Sequence, residues 1–162
     1  MPDQPPPKEA DFAFDNASKA LGEQLQRIEA LDAKAGILLA ADGVLVGLLF
    51  AADSVLLDAP GFIGIAVAVP LVISVLCALF AFIIRKYEVA PTPEAVIGLM
   101  GQGDEAWLKW RFLGNLSQAL DINRIKLDSK ARRANAASGS LLIVVLILGG
   151  YLVVALAKGT LA

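Results

Sequence analysis

Three stretches of this chain are nearly free of charge and long enough to cross a lipid bilayer: residues 35–57, 61–84 and 139–158. Nothing else constrains the fold as tightly. Hydrocarbon offers no water to backbone N–H and C=O groups, so only helices or closed barrels cross it. Ala35 to Ala52 carries one charge, Asp42, over eighteen residues; as a helix they rise about 27 Å against roughly 30 Å of hydrocarbon. Gly61 to Ile84 carries none and would be about 36 Å long, with a kink expected at Pro70. Arg85 and Lys86 end it. Ser140 to Ala157 is the core of the third stretch, and Lys158 follows. The apolar fraction is 57%, above the roughly 45–50% of soluble domains, and the surplus sits in these blocks. They predict an all-α membrane protein with three transmembrane helices.

The polar segments carry a helical rhythm of their own. Residues 1–10 hold four prolines and predict a disordered tail with no signal-peptide pattern, so the first span is expected to be retained. Over 11–34, Phe14, Ser18, Leu21, Leu25, Ile28 and Asp32 lead to Ala35 in alternating steps of four and three, the seam of a helix that packs on another helix. Over 85–138, Pro91 and Pro93 mark a turn, with Thr92 or Glu94 as candidate helix starts. Gly101-Gln102-Gly103 is a second break, lacking the Lys-Ser/Thr ending of a phosphate loop. Leu113, Leu116, Leu120, Asn123, Leu127, Lys130 and Ala134 then form a second seam. The expected architecture is a helical bundle in the water phase that continues into spans one and three.

The basic residues orient it. Of fourteen Lys and Arg, thirteen precede the first span or lie between Arg85 and Arg133. By the positive-inside rule the N-terminus and residues 85–138 are cytoplasmic, and the Asp53–Pro60 turn and C-terminus lie outside. Both seam helices then enter the membrane in the same direction. Asp32 stands three residues before its span, and Lys130 and Arg133 one to two turns before theirs. Asp32 is therefore expected to pair with Lys130 or Arg133, unless it is simply solvated at the water boundary.

Polar residues at apolar positions admit two readings each. A carboxylate within a span is costly, so Asp42 must face protein or water or be protonated; it serves either a gate or oligomer contact, or one hydrogen bond to a neighbouring helix. Gly36, Gly43 and Gly47 lie on nearby faces and would let backbones approach. Asn123 and Lys130 either fix the register of the seam or reach a ligand. Trp107 and Trp110 either anchor at an interface or pack between helices. The chain has no histidine and one cysteine, Cys77. This excludes His-based catalysis, a zinc cluster and an intramolecular disulfide, and no acid pair suggests an enzyme. A net charge of −2 points to no nucleic-acid partner.

The order of parts resembles a known family. Arg27-Ile28-Glu29-x-x-Asp32-x-Lys34-Ala35-Gly36-Ile37-Leu38 enters span one and is followed by Asp42-Gly43. A short turn, a second span, and a helical segment with Asn123 and Lys130 leading into a third span complete it. From about Leu21 onward this resembles the transmembrane effectors of bacterial Pycsar (pyrimidine cyclase) anti-phage systems, with Asp42 where the family pattern suggests Asn. The resemblance implies an inner-membrane effector that senses cUMP or cCMP made by a partner cyclase during infection. It would then impair the membrane, so that the cell stops growing or dies. It also implies an anion-binding set. Arg124, Lys130 and Arg133 are the candidate cations, Asn123 and Trp107 or Trp110 the candidate partners of the base, and Asp32, Lys34 and Asp42 the gating or structural residues. No other cofactor is expected. Lipid contact and a homo-oligomer are, since three spans enclose no sizeable pore. The competing readings are a ligand-independent, holin-like pore and a structural membrane subunit.

Overall fold

The structure of the protein, a computed structural model, describes residues 9–51, 61–83, 87, 93–99 and 104–157. Residues 1–8 of the expected tail, the Asp53–Pro60 turn, Arg85 and Lys86, the Gly101–Gly103 break and Lys158 lie outside them, while Ala10, expected in the tail, begins the first helix. Four helices follow in order: α1 (Ala10–Ala51), α2 (Gly61–Ile83), α3 (Pro93–Leu99) and α4 (Glu105–Ala157). Among the described residues there is no strand, and α1, α2 and α4 are each long and apolar enough to cross a membrane. The all-α, three-span expectation holds. The boundaries expected near residues 35 and 139 fall inside the continuous helices α1 and α4.

Local chemistry accounts for the helix ends. Asp104 caps α4: its Oδ1 accepts the Trp107 backbone N–H at 2.8 Å, and its carbonyl accepts the first helical bond from Leu108. Pro93 opens α3, where its missing N–H costs nothing. Pro70 lies within α2, which continues past it.

The chain forms two compact units, Met1–Ala30 with Arg85–Asp128, and Leu31–Ile84 with Ser129–Ala162. In the first, the start of α1 runs alongside the start of α4. Asp11 meets Lys109, and thirteen residues later Gln24 Nε2 donates to the Leu120 carbonyl at 3.2 Å, so the two segments are parallel. Ala10, Leu21, Ile28, Phe112, Leu116, Ala119 and Asn123 are the buried positions among the described residues there. The α4 seam therefore corrects the expected one: Phe112 and Ala119 turn inward in place of Leu113 and Leu120, which are only partly buried.

The second unit is three-helical and built in layers. Ala35, Ala81 and Ala134 form one layer; Leu38, Ala78 and Ala137 the next; Val67, Leu71 and Val144, with Leu45 and Val46 against them, a third. Going up the layers, numbers rise in α1 and α4 and fall in α2, so α2 is antiparallel to a parallel pair. Five alanines with no exposed surface let the helices approach closely. The glycines do not: Gly43 and Gly47 are exposed, and a Cβ added to Gly36, Gly43 or Gly47 would touch nothing within 4 Å. The outer faces present Ile37, Val44, Leu48, Phe62, Ile65, Leu146 and Val153, all at least half exposed. Such a surface is suited to lipid and far too apolar for water.

Candidate functional site

Polar side chains gather in the second unit where α1 and α4 pass residues 32–34 and 130–135. The α1 seam recurs every seven residues through Leu21, Ile28, Ala35 and Asp42, and that of α4 through Leu116, Asn123, Lys130, Ala137 and Val144. All nine are buried. Lys130 is fully buried, and its Nζ lies 2.6 Å from Asp32 Oδ1, whose side chain is 31% exposed. The partner of Asp32 is thus Lys130 rather than Arg133. One turn on, Lys34 Nζ donates to Asn135 Oδ1 at 3.0 Å. Arg133 is used differently. Its Nη1 makes a long hydrogen bond of 3.4 Å to the Phe80 carbonyl, and its guanidinium stands 5.8 Å from the Phe80 ring centroid. Phe80 lies in the last turn of α2, where a cation is favoured by the helix dipole, so Arg133 is held against that helix end. These contacts consume cationic groups that would otherwise offer themselves to an anion.

Deeper in the same unit, Asp42 is 1% exposed. Ser74 Oγ lies 3.0 Å from Asp42 Oδ2 and 3.1 Å from the Ala137 carbonyl oxygen. One hydroxyl has one hydrogen to donate, so both contacts are hydrogen bonds at once only when the Asp42 carboxyl brings its own proton. Asp42 Oδ1 is buried without a partner among the described residues. The chain Asp42–Ser74–Ala137 ties α1, α2 and α4 together at the level of the second alanine layer. This matches the simpler expectation for Asp42, a hydrogen bond to a neighbouring helix. Ser74 escaped the sequence reading, although its hydroxyl falls on the α2 seam of Val67, Leu71, Ser74, Ala78 and Ala81.

The remaining candidates belong to the first unit. Asn123 is fully buried, on the seam, as a register-setting asparagine would be. Arg124 is exposed, and Trp107 and Trp110 are partly buried near the start of α4. Lys109 is held between Glu105 at 2.8 Å and Asp11 at 3.1 Å. Its ammonium is kept above the ordinary lysine range, chiefly by the hydrogen bond to Glu105 and then by that to Asp11. The six proposed ligand residues are therefore split: Lys130 and Arg133 lie in one unit, and Asn123, Arg124, Trp107 and Trp110 in the other. Among the described residues no group of His, Cys, Asp or Glu is arranged to hold a metal ion.

A family model, the Pycsar effector protein domain, matches residues 16–158, which include both seams and all three spans. The chain belongs to the Pycsar effector family. Membership makes it a component of Pycsar anti-phage defence, and an effector rather than the cyclase. No curated protein and no solved structure matches the chain. With its three apolar helices, this Pycsar effector is a multi-pass membrane protein.

Proposed function

We propose that this Pycsar effector sits in the bacterial inner membrane with its N-terminus and residues 85–138 in the cytoplasm. There it binds cUMP or cCMP released by a partner cyclase and, as a homo-oligomer, makes the membrane leak. The observation that carries this reading is the continuity of two helices: α1 and α4 each combine a charged segment and an apolar span without a break. A nucleotide that favours one packing of the charged segments shifts the population of span packings, provided it binds the two states differently. The Asp32–Lys130 pair and the Lys34–Asn135 bond lie where charge gives way to apolar sequence, so they hold the two helices in register at that crossing. Three spans enclose no channel by themselves, and a closed ring of copies supplies one. Thirteen basic residues on one side support the orientation.

The test is dye or ion leakage from liposomes that contain the purified protein, with and without each nucleotide. Leakage that appears only with cUMP or only with cCMP is the expected result and names the ligand. Leakage without nucleotide would instead identify a holin-like pore. A folded, inserted protein that never leaks would point to a scaffolding subunit.

A further inference from the structure

Where in the first unit a nucleotide would sit is argued by one cavity. It has a volume of about 560 Å³, within the roughly 300–1,000 Å³ of small-molecule sites. Leu99, at the end of α3, lines one side, and α4 lines the other with Trp110, Arg111, Gly114, Asn115 and Ser117. Residues 110, 114 and 117 form one stripe of a helix, and 111 and 115 the stripe beside it, so these groups share one side of α4.

Each lining group has chemistry that suits part of a cyclic pyrimidine nucleotide. Trp110 is partly buried and supplies an indole on which a base can stack. Arg111 is exposed and forms no ion pair among the described residues. Its neighbour Lys109, by contrast, is already neutralised by Asp11 and Glu105. A guanidinium left unpaired beside an aromatic-lined cavity is a phosphate partner with two parallel donors. The Asn115 carboxamide offers both a donor and an acceptor, so by turning over it can meet either a 4-oxo or a 4-amino pyrimidine edge. Gly114 leaves the floor open, since a Cβ there would touch nothing within 4 Å.

We infer that this cavity on α4 is the cyclic pyrimidine nucleotide site of the effector, with Trp110 under the base, Arg111 on the cyclic phosphate and Asn115 at the base edge. The inference rests on the sensing function proposed above and replaces Lys130 and Arg133, whose polar ends the protein itself engages, as the anion partners.

The experiment is calorimetric titration of the full-length protein in detergent with cUMP and with cCMP. It compares the unaltered chain with Arg111→Gln, Gly114→Leu and Lys19→Gln. Gly114→Leu fills the cavity while replacing a poor helix former with a good one, so its loss of binding would not reflect unfolding; far-UV circular dichroism verifies this. The expected result is saturable binding of one nucleotide, weakened about tenfold or more by Arg111→Gln, in line with the loss of a charge-assisted pair. Gly114→Leu abolishes it, and Lys19→Gln, the same charge change on an exposed residue of α1, leaves it unaltered. If the unaltered chain binds but Arg111→Gln and Gly114→Leu bind equally well, the site assignment is overturned while sensing stands. If the folded, unaltered chain binds neither nucleotide, both fall.

Discussion

The two units close their helix contacts with opposite materials. In the first, the buried positions are mostly large, with Leu21, Ile28, Phe112 and Leu116 around Asn123, and charged residues cover the outside. In the second, alanine makes all of one layer and two positions of the next, many large apolar side chains are exposed on the outer faces, and buried polar groups link the helices. The reason is the solvent each is built for. Water drives large apolar groups inward, whereas lipid gives them no such preference and leaves close approach and hydrogen bonds as the adhesive.

That contrast can be broken most severely at Asp32–Lys130. Asp32→Ala leaves Lys130 buried without its carboxylate and is expected to cost about 3–5 kcal/mol, toward the lower end because Asp32 is partly exposed. The double variant Asp32→Leu with Lys130→Met should recover most of it. Detergent-titrated unfolding measures both; a single variant as stable as the parent would mean that the pair contributes nothing. Next, Leu116→Ala, at a position 1% exposed, should cost about 3 kcal/mol as a buried leucine does in a water-driven core. Ala137→Leu tests the opposite material. Overpacking a lipid-embedded alanine layer should cost about 1–3 kcal/mol and loosen α2, seen as faster proteolysis; tolerance of the larger residue would show that the layer is not close-packed. The smallest effect belongs to Asp42→Asn. Its amide donates to Ser74 Oγ as a protonated carboxyl does, so stability should stay within about 1 kcal/mol, and the carboxylic acid C=O infrared band assigned to Asp42 should vanish. A parent protein without that band would show that Asp42 carries no proton.

Much of this architecture is legible in the sequence. The three spans follow from length and charge, and the parallel course of α1 and α4 follows from placing the basic residues on one side. Counting back from each span then left two possible partners for Asp32. Packing chose Lys130, because Lys130 continues the seven-residue buried series of α4 whereas Arg133 reaches the end of α2. The seam of α4 shows the limit of pattern. Phe112 and Leu113 are adjacent apolar residues about 100° apart around a helix, as are Ala119 and Leu120, and periodicity accepts either. Only the surface of the opposing helix selects one.

Charge and hydropathy thus determined by themselves how many helices are long and apolar enough to cross the membrane, since burying an unpaired charge in lipid costs more than local packing can return. Tertiary structure alone decided that alanine rather than glycine makes the close contacts, that Ser74 answers Asp42, and that Arg133 is spent on α2 while Arg111 is exposed and forms no ion pair among the described residues. Those outcomes depend on which helix faces which, at differences of about one side chain in energy, and no single helix carries that information in its own sequence.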